Sequence, residues 1–294
     1  MTEQIVEPAP AKVNLALHVT GRRADGYHLL DTLVVFAEAG DRITATPAAG
    51  DGFVVTGPFS ASLSGEDDNL VLKARDLLRE LTGQKAPVAI SLEKNLPVAS
   101  GVGGGSSDAA ATLRTLVRLW NANLSPASLA KGALRLGADL AMCLEARTLM
   151  ARGIGDALEV LPGLPPLAMV LVNPGLGVPT PAVFRALETH DNPPLPAFPP
   201  FPNLSMLLGW LERTRNDLET PALAIEPRIG DALASLHAGG AAFARMSGSG
   251  ATCFGIFATE ADAARAAAAI AAAEPSWYVK ATRTIEKAET DVAH

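Results

Sequence analysis

EKNLPVASGVGGGSSDAAATL, residues 93–113, sets a glycine-rich turn between a strand-like run and a helical pattern. VAISL (88–92) leads into it as a strand. Beyond the turn, Ala109, Leu113, Leu116, Val117 and Trp120 recur at helical spacing, and Ser106, Ser107 and Asp108 supply the N-cap chemistry that predicts the helix start. Between them lie Gly101, Gly103, Gly104 and Gly105. Glycine allows positive φ and lets a ligand reach backbone N–H groups with no Cβ in the way. Those amides, with the unpaired amides of the first helical turn and the helix dipole behind them, form an anion site suited to a polyphosphate. Ser106 and Ser107 add hydroxyl donors. A tight strand-to-helix turn without a ligand is the plainer reading and stays open. Asp108 reads as a partner of the helix dipole ahead of a metal ligand.

Spacing separates this loop from two common phosphate binders. A Walker A loop needs GxxxxGK[ST], and the chain has no Gly-Lys dipeptide. A dinucleotide fingerprint needs a third glycine where Ser106 stands. A second Gly-Ser loop, RMSGSGATCFGIF (245–257), is by itself as compatible with a turn as with a site.

Outward from the loop, the first third reads as strands at 13–19, 32–37, 41–47 and 53–57, with a helix at about 69–81. Another helix at 126–136 leads into GADLAMCL. The second half holds strands at 167–172 and 252–258 and helices at 204–212 and 261–273, the last rich in alanine, the best helix former. DNPPLPAFPPFPN (191–203) is too rich in proline for helix or sheet and reads as an extended surface loop. Strands and helices mix without βαβ alternation, so the fold class is α+β in two parts, with a boundary near 150–165.

Composition bounds the function. The 294 residues carry 24 Lys+Arg against 31 Asp+Glu, a net charge of −7 that argues against a general nucleic-acid or membrane binder. At 48% hydrophobic and 19% charged, the chain can bury a full core. No apolar run reaches the roughly 18 residues of a spanning helix. The opening MTEQIVEPAPAKVNL lacks the basic and apolar regions of a secretory signal, which predicts a cytoplasmic protein. Cys143 and Cys253 form no CxxC pair and predict neither a disulfide framework nor a thiolate zinc site.

The glycine loop with Pro97 ahead of it, APAKVNLAL (9–17) and SGSGATCFG (247–255) together resemble the GHMP kinase superfamily of small-molecule kinases. Within it, PAKVNLALHVTGRRADGYHLLDTLVVFAEAGD (10–41) looks like the opening of the branch that acts on 4-diphosphocytidyl-2-C-methyl-D-erythritol (CDP-ME). Segments 68–74, 136–144, 178–184 and 216–219 agree in content and order. The resemblance implies a two-domain GHMP kinase fold, with an N-terminal domain like the second domain of ribosomal protein S5 and a ferredoxin-like C-terminal domain. The expected division is 1–160, for nucleotide and substrate, and 161–294. It implies ATP-dependent phosphorylation of the CDP-ME 2-hydroxyl in the non-mevalonate isoprenoid pathway, with ATP and Mg²⁺ and small-molecule partners only. Monomer and homodimer stay open.

Residue roles follow from the same resemblance. Asp139 is the general base and Lys12 its neighbour, since a lysine favours a charged carboxylate and can stabilise the transferring phosphoryl group. On local sequence alone Asp139 reads equally as a helix N-cap and Lys12 as a solvated edge residue. Asn69, Lys94 and Pro97 join Gly101, Val102, Gly103, Gly104, Gly105, Ser106 and Ser107 around the nucleotide. Tyr27, His28 and Phe184 form a cytidine pocket, each stack being worth roughly 1–3 kcal/mol, and Asn14 and Thr180 bind the rest of the acceptor. The resemblance names no protein ligand for a metal. Ala99-Ser100 departs from the Gly-Gly usual in the family. Two alternatives remain, a kinase for another small alcohol and a nucleotide-binding sensor without catalysis.

Overall fold

The computed structural model describes residues 4–63, 69–161, 164–201 and 203–285; Asp68 of the 68–74 segment and Pro202 of the proline-rich stretch lie outside them. In chain order come β1 (Ile5–Arg22), β2 (His28–Pro47), β3 (Gly52–Thr56), α1 (Leu70–Thr82), β4 (Val88–Glu93), α2 (Gly104–Leu119), α3 (Pro126–Ala133), α4 (Ala138–Glu145), β5 (Leu149–Gly153) and β6 (Ala157–Val160). Then follow β7 (Ala168–Asn173), α5 (Thr180–Arg185), α6 (Leu204–Leu211), α7 (Glu219–Ile225), α8 (Arg228–Ala238), β8 (Phe243–Met246), β9 (Cys253–Phe257), α9 (Glu260–Ala273) and β10 (Tyr278–Arg283). Among the described residues no helix is long and apolar enough to cross a membrane.

Two compact units interleave along the chain. One comprises Met1–Ala11, Ala39–Ala99 and Gly103–Glu145, the other Lys12–Glu38, Ser100–Val102 and Ala146–His294. In the first, β4 runs antiparallel to Arg42–Pro47 of β2 and parallel to β3. α1 starts at Asn69, whose side chain accepts from the Val71 amide, and ends at Gly83 in the left-handed region. It buries Val71, Ala74, Leu77 and Leu78 on one face, and α2, which buries Ala109, Leu113 and Leu116, packs beside it.

In the second unit β5 lies antiparallel to Leu30–Val34 of β2, with β6 at its outer edge. A four-stranded antiparallel sheet of order β10-β7-β9-β8 carries α8 and α9. Val170, Val172, Leu236, Phe257 and Ile270 fill the space between sheet and helices. β7 is buried throughout, which is why LAMVLV reads as an unbroken apolar run.

Several elements differ from the sequence reading. Residues 32–37 and 41–47 belong to one continuous strand, β2. Its Gly40 is a close-approach site, because a Cβ there would lie 2.4 Å from the Ala9 carbonyl oxygen. β1 extends well beyond 13–19 at both ends. The helix expected over 126–136 stops at Ala133, and the chain turns through Gly137 at φ +146° before α4. α2 starts earlier than its serines suggested: Gly103 is the N-cap, at φ +63°, with no side-chain cap.

Candidate active site

The first unit holds a cavity of about 180 Å³ at the start of α2, lined among others by Asn69, Lys94, Pro97, Ala99, Gly104 and Gly105. Five residues expected around the nucleotide therefore share one wall. The amides of Gly104, Gly105 and Ser106 occupy the first helical turn, where no carbonyl lies one turn back. Ser107 departs from its expected part: it is fully buried and its hydroxyl donates to the Pro10 carbonyl at 2.7 Å.

Lys94 departs as well. It is 2% exposed, and its ammonium is paired with Asp41 and with Asp108, the latter at 2.8 Å. Asp41 also accepts the Leu96 amide at 2.8 Å, which fastens the strand end to the loop. Asp108 is a buried ion partner, and its Oδ1 has no hydrogen-bond partner. Burial pushes the Asp108 carboxyl up to about 8, against the pull of Lys94 and with the push of Asp41. Burial lowers the Lys94 pKa, but the two carboxylates outweigh it and the net direction is upward. The lysine forms part of the cavity's floor, with its charge already matched.

In the second unit, Ser100–Val102 of the glycine loop meet the Gly-Ser loop 247–250. Thr252 N donates to Ser100 O at 3.0 Å, and Ser247 Oγ donates to Gly101 O at 3.2 Å. Gly101 has φ +79°, and a Cβ on it would lie 2.5 Å from Ser247 O. Asn216 holds the same loop by donating to Met246 O and Gly248 O at 2.9 and 2.8 Å. Lys12 is buried, not a solvated edge residue, and its amide donates to Val102 O at 2.9 Å. Asn14 is also buried, donating from Nδ2 to Thr32 Oγ1 at 2.8 Å and from its amide to Ser247 Oγ at 3.1 Å. Its Oδ1 is left without a partner.

Asp139 stands in the first turn of α4 and is half-buried. α4 packs on α2, from which Arg114 donates to the Cys143 carbonyl at 2.8 Å.

The second unit also contains a wider cavity, about 620 Å³. Tyr27, His28, Thr180 and Phe184, all expected there, line it together. The His28 and Phe184 rings stack with centroids 4.7 Å apart and planes 25° from parallel. Tyr27 projects from the turn before β2 with 63% of its surface exposed, so its ring is available to a ligand. Thr180 Oγ1 lies 2.7 Å from Ser249 Oγ, tying α5 to the Gly-Ser loop. Arg22, Asp25, Arg185 and His190 are among the other lining residues and were not singled out from sequence. Arg22 lies inside the quoted GRRADGYH block; nothing around His190 marks it. Among the described residues no group of three His, Cys, Asp or Glu could hold a metal ion.

The chain matches the models for the GHMP kinases N terminal domain over residues 69–147 and GHMP kinases C terminal over 201–275. It is 57% identical over 286 residues to a protein of Rhizobium etli named 4-diphosphocytidyl-2-C-methyl-D-erythritol kinase, covering 96% of this chain and 95% of that one. A solved structure titled 4-(cytidine 5'-diphospho)-2C-methyl-D-erythritol kinase matches with a TM-score of 0.80 at 37% identity, covering 96% of this chain and all of that one. Homoserine kinase from Cytophaga hutchinsonii matches with a TM-score of 0.70 at 17% identity over 97% of this chain and 95% of its own, a likeness of fold alone.

Proposed function

The chain belongs to the GHMP kinase family and, within it, to the 4-diphosphocytidyl-2-C-methyl-D-erythritol kinases, and on that premise we propose how its residues phosphorylate the 2-hydroxyl of CDP-ME. It is an ATP-dependent small-molecule kinase of the non-mevalonate isoprenoid pathway. The observation that carries the acceptor assignment is the aromatic cavity: Tyr27 and Phe184 offer ring faces to a pyrimidine, His28 an edge, and Arg22 and Arg185 offer charge to a diphosphate. Homoserine and mevalonate present no base to such rings.

Phosphoryl transfer asks for positioning, charge neutralisation and a base. In our reading the Asp139 carboxylate takes the proton of the 2-hydroxyl while that oxygen bonds to the γ-phosphorus. The bond from the γ-phosphorus to the β–γ bridging oxygen breaks, and ADP leaves with that electron pair. Lys12 stabilises the charge on the transferring group. Asn14 and Thr180 orient the acceptor. The nucleotide is held by Asn69, Pro97 and the loop from Gly101 to Ser106. Lys94 acts on it through the loop it anchors, because its ammonium already faces two carboxylates. Magnesium bound with ATP would supply charge neutralisation at the transferring phosphoryl group, beside the role given to Lys12.

The same reading divides the chain near residue 160, with nucleotide and acceptor residues mostly ahead of it; the two family matches, 69–147 and 201–275, fall on either side of that point, while the compact units interleave across it. Two charged, water-soluble substrates support a cytoplasmic place.

ADP release by the purified protein with ATP, Mg²⁺ and CDP-ME, beside homoserine and mevalonate, tests the assignment. Release with CDP-ME alone is expected. Asp139→Asn should lower turnover at least about a hundredfold with nucleotide binding retained. Near-normal turnover in the folded variant removes Asp139 from the mechanism. ATP binding without turnover on any acceptor would favour a sensor.

A further inference from the structure

We propose that His190 is a positioning residue for the acceptor, holding the His28 ring in the wall of the aromatic cavity through an imidazole–imidazole hydrogen bond. The inference rests on the reading of that cavity as the pyrimidine site. His28 Nε2 lies 3.2 Å from His190 Nδ1, with ring centroids 5.0 Å apart. One nitrogen donates and the other accepts, so the contact fixes the His28 ring plane. Phe184 stacks on one face of that ring, and His190 restrains its edge. Two contacts from separate parts of the chain thus define one orientation. An imidazole that must present an edge to a base needs its plane fixed before the base arrives, since ordering it on binding would cost affinity.

His190 is itself held. It sits where the proline-rich stretch begins, and that stretch is fastened to β1 and β2 at three places by four hydrogen bonds. Asn192 donates from its amide and from Nδ2 to Val19 O, at 3.2 and 3.1 Å. Leu195 N donates to the buried Asp31 carboxylate at 3.0 Å, and His18 Nδ1 lies 2.9 Å from Pro193 O. These bonds give the stretch from 190 to 195 a purpose that its composition does not announce: it is a strap that sets His190 beside His28.

Steady-state kinetics of the full-length enzyme with ATP, Mg²⁺ and CDP-ME test this on four variants. His190→Ala should raise the CDP-ME KM about three- to tenfold, the effect of one lost hydrogen bond. Its kcat and ATP KM should stay within about twofold, the pattern of lost ground-state binding. His190→Asn, whose amide offers a donor and an acceptor near the Nδ1 position, should restore most of the CDP-ME KM. His190→Phe, similar in volume and unable to make the bond, should behave as alanine does and replaces it if alanine fails to fold. Phe184→Ala reports on the cavity itself. An unchanged CDP-ME KM in the His190 variants beside a raised one in Phe184→Ala overturns the role of His190 and leaves the cavity reading intact. An unchanged value in all of them overturns both. A rise that asparagine does not restore, or that extends to ATP, marks general loosening and also overturns the proposal.

Discussion

Lys94 shows how a buried charge takes its partners from the protein interior. A lysine seven residues before the first glycine of the loop suggests a direct contact with the nucleotide, yet its ammonium is buried between Asp41 and Asp108. Two carboxylates cannot both stay ionised at low cost beside one ammonium in a dry site. With Asp108 protonated, the triad carries no net charge beneath the cavity proposed for the nucleotide. The consequence for stability has a definite sign. Unfolded, the carboxyl titrates near its ordinary 3.8; folded, it is pushed up to about 8. Between those values the native state keeps a proton that the unfolded chain has released, so stability falls as pH rises through that window and levels off above it. Asp108→Asn removes the titration but can still accept from Lys94. The melting temperature of the variant, measured against the parent, should climb from about pH 5 to about pH 8 and then stay constant. A difference independent of pH would mean that Asp108 is ionised throughout. Ala99 is a second residue out of pattern. It holds φ +51° where the family commonly has glycine, so this chain carries a strained backbone conformation at the loop's entrance.

Elements were legible where one physical cause dominates. α1 shows its apolar face, α9 its alanine content, and β7 its apolar run. The start of α2 was misread because its cap-like side chains have stronger partners elsewhere: Asp108 faces Lys94, and Ser107 faces Pro10. β2 was read as two strands because Gly40-Asp41 looks like punctuation, whereas Gly40 serves a close backbone approach and Asp41 an ion pair. β5, β6 and β8 span only four or five residues and carry no period long enough to separate from loop. Of the candidate site, the aromatic set was legible through the family motifs, while His190 was not, since its place depends on the strap's distant hydrogen bonds. The loop junction makes a sharper claim. Gly101 combines φ +79° with backbone oxygens at 2.5 and 2.7 Å from any added Cβ. Gly101→Ala must therefore displace Ser247 or Gly250 and should cost roughly 2 kcal/mol or more in a denaturant titration. A loss under about 0.5 kcal/mol would mean the junction yields freely.

For the whole molecule, fold and charge constrain function in different ways. Homoserine kinase shares the fold at 17% identity, so topology leaves the acceptor undecided, and in the proposed function the choice falls to side chains such as Tyr27, His28 and Phe184. Charge works against binding at long range, because a chain of net charge −7 meets two anionic substrates. At 0.01 M salt that field reaches about 30 Å, and at 0.15 M only about 8 Å. Arg22 and Arg185 line the wall of the proposed acceptor cavity, and their attraction acts over contact distances that salt screens less. Screening should therefore remove more repulsion than attraction. With Mg²⁺ held constant, kcat/KM for CDP-ME should rise about two- to threefold as potassium chloride increases from about 10 to about 150 mM. A fall of that size would show that the cavity's own cations govern the encounter. Arg22→Gln and Arg185→Gln would then flatten the salt dependence, whereas under the repulsive field they should steepen the rise.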